Sequence, residues 1–208
     1  MRTRTKLTLA GLTATLLMGL AVSAASASHL RVTNQNFRVT WSGLKFLEEG
    51  GGSLVTCPVT LEGSFHSATI AKVLGSLIGV VTRATVGNSS CSGGHATILQ
   101  ATLPWHVRYN GFTGILPNIT GVGLALAGVA FNVEVFFVNC LYKENGTETA
   151  AGTAAVEPAH AITSLNADNT IRLPKFSGGS LCPASGGFEG AGNVTVTGST
   201  TKISVTLI

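Results

Sequence analysis

Four cysteines in a chain with an export signal constrain this fold more than any other feature. The signal is predicted over residues 1–27, because basic residues precede an uncharged apolar stretch and Ala25-Ser26-Ala27 has the small residues of a cleavage site. An even number of cysteines in an exported chain predicts disulfides. We therefore expect a signal peptide over 1–27 and a single secreted domain over 28–208 with two disulfides. The alanine-rich signal is typical of bacteria and predicts a secreted or envelope location.

The cysteines allow three pairings, of which we expect Cys57–Cys91 and Cys140–Cys182. Each of these pairs brackets one reversal of the chain, and the midpoint of the first pair falls at Leu74-Gly75, which suits the tip of a hairpin. A metal site is the alternative, but no C-x-x-C motif occurs and no histidine has zinc-finger spacing. We assign no metal and no cofactor to this chain.

The charge balance argues against a polyanionic partner once the signal is removed. The full chain has 13 Lys and Arg against 9 Asp and Glu. Three of the 13 basic residues and none of the acidic ones lie in 1–27, so ten basic residues remain against nine acidic ones, a net charge of +1. We therefore expect no nucleic-acid partner. The remaining chain has no consistently apolar run of about 18 residues, so we also expect no transmembrane segment after cleavage.

Short β-branched runs separated by glycine and asparagine predict an all-β fold. Phe37-Arg38-Val39-Thr40-Trp41 alternates apolar and polar side chains as a half-buried strand does. Pro58 lies in the next strand and predicts an edge position or a bulge there. Asn145-Gly146 predicts a type I′ hairpin turn. The runs amount to about nine or ten strands, which favours a single β-sandwich.

The stretch from Cys91 to Cys140 is predicted to form the centre of that sandwich. Residues 122–126 and 129–138 are apolar in both phases of the strand alternation, which is typical of strands buried on both faces. A membrane-spanning helix fits poorly here, because Pro117, several glycines and a glutamate interrupt the stretch.

Residues 69–78 are left open between a short helix and a hairpin. Four apolar residues from Ile70 to Leu77 have helical spacing, which favours a helix. Gly75 and Gly79 disfavour it, each by about 1 kcal/mol. A hairpin that turns near Gly75 is the alternative.

The sequence carries few residues that could support catalysis. After 1–27 is removed, its one aspartate is Asp168, in a predicted turn, and the G-x-S-x-G motif of a nucleophile elbow is absent. We therefore expect no enzymatic activity and assign no catalytic residue. The alternative is a hydrolase whose side chains converge only in three dimensions; its candidates are Glu62, Glu134, His66, His95 and His106.

Low charge is the remaining functional signal. The chain is 45% hydrophobic and only 11% charged. In a chain of this composition, strands that are apolar on both faces form either a solid core or the walls of a pocket or groove for an apolar small molecule. In the second case we predict ligand contacts at Trp105, Tyr109, Phe131 and Phe136.

Four features between residues 57 and 109 follow one another in a recognisable order: a strand with Cys57, then Gly63-Ser64-Phe65, Cys91 and Leu103-Pro104-Trp105. This order resembles small secreted bacterial β-proteins of unassigned role, some of which are named as activators of alkane oxidation. The resemblance implies an accessory role with a hydrophobic surface, and it brings no catalytic residues with it.

Together these patterns predict a secreted or envelope-associated, non-catalytic structural or binding module. The first alternative is a carrier or surface adaptor for a hydrophobic ligand. The second is the hydrolase with a spatial His/Glu cluster. The expected partner is an envelope component or an apolar small molecule.

Overall fold

The computed structural model describes residues 29–146, 150–168 and 172–208, so the predicted signal peptide lies outside the described residues. The all-β fold class is confirmed, and the described residues form fifteen strands and two short 3-10 turns. The strands are β1 (His29–Val32), β2 (Asn36–Glu48), β3 (Ser53–Phe65), β4 (Thr69–Ala71), β5 (Leu77–Val86), β6 (His95–Ile98), β7 (Trp105–Ile115), β8 (Asn118–Ala127), β9 (Ala130–Val135), β10 (Val138–Lys143), β11 (Ala150–Val156), β12 (Ile162–Ala167), β13 (Leu173–Ser177), β14 (Ser185–Val196) and β15 (Val205–Leu207).

The predicted strand number, nine or ten, was too low. Strands β1, β4, β6 and β15 are three or four residues long. Such short segments cannot show the alternation by which a strand is read from sequence. They are held in place by long-range pairing, as β1 is by β15 and β4.

Antiparallel pairing joins twelve of the strands in one row, in the order β12-β11-β8-β7-β5-β3-β2-β14-β13-β10-β9-β6. Strand β12 also pairs with β14, so the eight strands from β12 to β14 in that row form a closed ring. Side chains from opposite walls meet inside the ring and are buried there, among them Val39, Leu61, Val81, Val107 and Val194. Strands β15, β1 and β4 form a separate small sheet.

The last four strands of the row, β13-β10-β9-β6, form a second layer over the Glu48 end of the ring. Phe131 on β9 places its ring 5.4 Å from that of Phe46 on β2 and 4.5 Å from that of Phe188 on β14. This layer-on-layer packing is the sandwich-like part of the fold, and it buries Phe46, Phe131 and Tyr142.

A bulge in β2 faces Pro58, as the sequence predicts. Trp41 pairs with Val59 and Leu44 with Cys57, so two residues of β2 stand opposite the one proline. Because proline has no N–H group to donate, the interrupted ladder loses no bond there. The bulge also positions the Trp41 indole against β14, where a Cβ atom on Gly192 would lie 2.5 Å from the ring.

Of the two alternatives left open for residues 69–78, the structure shows no helix and has a turn near Gly75. The chain turns at Leu74-Gly75, where Gly75 has a φ of 75°. Gly79 lies in β5, and a Cβ there would lie 2.5 Å from the Ser64 carbonyl oxygen of β3. Close pairing with β3 therefore explains why the end of this segment is a strand and not a helix. The expected hairpin partner differs, because β4 pairs with β1 and β5 pairs with β3 and β7.

Both predicted disulfides are present, Cys57–Cys91 and Cys140–Cys182. The first joins β3 to the segment before β6, and so links the ring to the second layer. The second joins β10 to the segment between β13 and β14 within the second layer. Among the described residues, no helix has the length and apolar character needed to cross a membrane.

Candidate functional site

The four side chains predicted to contact an apolar ligand are in three different environments. Trp105 and Tyr109 on β7 are buried inside the ring, and Phe131 on β9 is buried between the layers. Phe136 is 90% exposed. The structure therefore does not bring the four together around one pocket.

Two apolar cavities lie within the core. The larger measures about 70 Å³ and is lined by Trp41, Trp105 and Phe188 among others, and the smaller measures about 40 Å³. Leu61, Leu126 and Leu165 line both. Pockets for small-molecule ligands usually measure roughly 300–1,000 Å³, so these two are too small for a lipid or a cofactor.

Phe131 is the centre of an aromatic cluster between the two layers. Its ring contacts those of Phe46, Phe188 and Tyr142, and Phe131 is 1% exposed. Burial raises the pKa of the Tyr142 phenol, and the carboxylate of Glu48 raises it further. Burial likewise raises the pKa of Tyr109. Both phenols therefore stay neutral through the physiological range and act as packing groups.

Glu62, one of the two acidic candidates, is held in an ion-pair network on the outer face of the ring. The Arg38 guanidinium lies 2.6 Å from its Oε1, and that of Arg83 lies 3.4 Å from its Oε2. Both oxygens of this carboxylate are therefore engaged by guanidinium groups.

The remaining acid–base candidates are brought together only in part. Glu134 on β9 pairs in register with His95 on β6, so these two are neighbours in the second layer. His66 and His106 are exposed, at the end of β3 and on β7. Among the described residues, no group of three or more His, Cys, Asp or Glu side chains is placed to hold a metal ion.

The most exposed aromatic side chains form the turn between β9 and β10. Val135 pairs with Val138, which leaves Phe136 and Phe137 as a two-residue loop. Their φ angles are 45° and 68°, and their side chains are 90% and 94% exposed. Positive φ at both positions is the requirement of a type I′ turn, for which Asn and Gly are favoured. We call Phe136 and Phe137 the aromatic tip.

This turn was not predicted, because residues 129–138 are apolar in both phases and indicated one strand buried on both faces. That interpretation was wrong. The overlooked signal is a change of phase: Phe131 and Val133 are buried at odd positions, whereas Cys140 and Tyr142 are buried at even ones. A two-residue turn shifts the buried phase in this way, since the residues flanking it pair and face the same side.

A groove of about 370 Å³ lies at the base of the aromatic tip. It runs beside Phe136 towards Leu181, which is 77% exposed and precedes the cysteine of the second disulfide. Apolar side chains supply most of its walls: Leu54, Val133, Val135, Val138 and Pro183. Phe136 of the tip and Leu181 therefore border the same groove.

A second exposed apolar group lies at the opposite end of the ring. Strand β3 runs from the groove towards Phe65, β5 returns, and β7 runs in the same direction as β3 and ends at Ile115. Ile115 is 86% exposed, and Leu116 and Leu74 are exposed beside this end. These residues provide a matched control for experiments on the aromatic tip.

We expect the double substitution Phe136→Asn and Phe137→Gly to raise the free energy of unfolding by about 1–2 kcal/mol. Side chains other than Gly, Asn and Asp are strained at positive φ, by about 1–3 kcal/mol each, and the exposed rings lose little when removed. Urea denaturation of the variant and the parent measures the difference. An unfolding free energy lowered by the exchange would contradict the strained-turn interpretation.

Comparison with protein-family models, with curated proteins and with solved structures found no match to this chain.

Proposed function

We propose that this protein is a secreted or envelope-associated, non-catalytic binding module that contacts its partner with apolar side chains on its surface. The observation that carries the proposal is the aromatic tip, where two phenylalanines occupy turn positions that favour Asn and Gly. Strained residues with exposed apolar side chains reduce stability, and their presence points to a role outside the fold.

The surface-adaptor form of this function is better supported than the internal carrier. Cavities of about 70 and 40 Å³ leave no room for a lipid-sized ligand inside the core. The groove of about 370 Å³ beside Phe136 falls within the range of small-molecule sites, and it opens next to the tip. An apolar partner therefore contacts the outer surface, at the tip and the groove beside it.

Two further features support a non-catalytic role in an oxidising compartment. The two disulfides are compatible with the periplasm or the extracellular space, where such bonds persist. Glu62 is occupied by Arg38 and Arg83, which leaves the His95–Glu134 pair as the remaining neighbouring acid–base candidates. The resemblance of residues 57–109 to secreted bacterial β-proteins points the same way.

The test measures binding of the exported protein to silica particles coated with octyl chains, with uncoated particles as the control. We expect binding that persists at high salt, because burial of apolar surface is not screened. A quadruple variant, Phe136→Asn, Phe137→Gly, Ile115→Ser and Leu116→Ser, removes exposed apolar residues from both ends and should bind weakly. Absence of binding by the parent, or binding abolished by salt, would refute the proposal.

A further inference from the structure

We propose that the aromatic tip inserts into the interfacial layer of a lipid bilayer and so places this protein on a membrane surface. The inference rests on the proposed function, since it names the partner that the apolar surface contacts. The occupant is the lipid bilayer itself, and it is identified by the size, shape and charge of the tip.

The size of the tip suits a membrane better than a protein partner. A phenylalanine side chain buries roughly 150–250 Å², so Phe136 and Phe137 offer roughly 300–500 Å² between them. A stable protein interface buries about 800 Å² on each partner. A bilayer has no such threshold, because a fluid partner surrounds any apolar projection and needs no matching surface.

The shape of the tip is a projection with a polar boundary behind it. Directly behind the apolar Val135–Val138 pair lies the pair Glu134–Asn139. The Asn139 side chain accepts a hydrogen bond of 2.8 Å from the Asn132 side chain, and Glu134 pairs in register with His95. Two residues at about 3.3 Å per residue give the apolar part a height of about 7 Å. Interfacial elements are buried to a depth of about 5–10 Å.

The tip is ordered before it meets a membrane. Strand β9 pairs with β6 and β10 with β13, so the hairpin is hydrogen-bonded on both outer edges. Cys140, in β10, is bonded to Cys182, and this disulfide also holds the neighbouring Leu181 beside the groove. Insertion therefore requires little loss of backbone freedom, which strengthens binding by a small apolar surface.

The charges near the tip favour neutral lipids. The residues from Val135 to Val138 are uncharged, Glu48 lines the groove, and the next charged residue along β9 is Glu134. The ammonium group of Lys175 donates a hydrogen bond to the Cys182 carbonyl oxygen, 3.1 Å away. Because neither the tip nor its two flanking valines carries a positive charge, we expect binding that depends weakly on salt and needs no anionic lipid.

The decisive experiment is flotation of the exported protein with vesicles of phosphatidylcholine alone, and with vesicles that also contain phosphatidylglycerol. Intact mass must first confirm that the apolar segment within residues 1–27 is absent. We expect the parent to float with both kinds of vesicle. The variant Phe136→Asn with Phe137→Gly should bind roughly 100-fold more weakly, in line with the loss of two partly buried phenylalanines. Ile115→Ser, at the opposite end of the ring, should bind like the parent.

Four results would overturn the proposal. If the parent is recovered without vesicles while it still binds octyl-coated particles, the binding module stands and its partner is not a membrane. Vesicle binding that is unchanged in the tip variant would contradict insertion of the tip. Binding that requires anionic lipid and disappears in salt would contradict it as well. A concentration-dependent dimer that is lost in the tip variant, without vesicle binding, would assign the tip to a second copy of this chain.

A second measurement reads the position of the tip directly. Phe137→Trp introduces an indole at the most exposed position of the turn, while the native Trp41 and Trp105 are 4% and 3% exposed. A blue shift of the added emission on mixing with phosphatidylcholine vesicles, and quenching by lipids brominated near the headgroup, are expected. Emission unchanged by vesicles would contradict insertion even if the protein co-floats.

Discussion

Replacing Phe131 with alanine is expected to lower the free energy of unfolding by about 3–5 kcal/mol. The ring is 1% exposed and contacts the rings of Phe46, Phe188 and Tyr142, which come from three different strands. Its removal leaves a cavity between the two layers that these neighbours fill only in part. Urea denaturation followed by circular dichroism measures the loss, provided that both proteins unfold in one transition.

Phe136→Ala is the matched control for this substitution, because it deletes the same atoms from a side chain that is 90% exposed. We expect its effect to stay within about 0.5 kcal/mol of zero. A loss as large as that of Phe131→Ala would mean that the tip packs against the protein. A small loss for Phe131→Ala would mean that the second layer contributes little to the stability of the fold.

Removing the Cys140–Cys182 disulfide, as Cys140→Ala with Cys182→Ala, is expected to lower the free energy of unfolding by about 4 kcal/mol. The bond joins residues 42 apart in sequence, and constraining a loop of that length reduces the entropy of the unfolded chain. Both cysteines are buried, so their loss also removes packing at the edge of the second layer. Denaturation under non-reducing conditions measures the change.

The control for this prediction is the parent treated with a reductant, which opens both disulfides and should be less stable than the double variant. If the variant unfolds with the parent's free energy, the second layer is held by strand pairing alone. The variant also bears on the tip, because Leu181 is no longer held beside the groove. A membrane affinity reduced without loss of fold would show that the disulfide supports the tip.

Much of the fold could be predicted from local patterns, and the exceptions have a common cause. The bulge opposite Pro58 followed from the missing N–H group of proline. The turn predicted at Asn145-Gly146 does not make the expected hairpin, since β10 pairs with β9 and β13 while β11 pairs with β8 and β12. The two-residue turn with paired flanking strands lies instead at Phe136-Phe137. The propensity of a residue describes which backbone conformations it tolerates, whereas the pairing of strands depends on contacts across the whole sheet.

Of the two residues of the aromatic tip, only Phe136 was predicted as a site residue. It was predicted as one of four ligand contacts, not as an exposed residue of a turn. Composition identified four large aromatic residues as possible ligand contacts, and three of them are packed inside the protein. Phe131 and Phe136 are five residues apart in one apolar segment, with the same preference for a strand and for burial. Only the partners of β9 and β10 decide that one ring enters the core and the other faces solvent.

The sequence by itself indicated the β character and the preferred pairing of the cysteines, which the structure confirms, and it contains no recognisable catalytic motif. These properties depend on residue type and spacing along the chain, which can be read directly. The tertiary structure decided the closure of the ring through β12 and β14, the second layer, and the exposure of the aromatic tip. Those properties depend on contacts between strands far apart in sequence. The identity of an apolar residue does not indicate which side of a sheet its side chain will face.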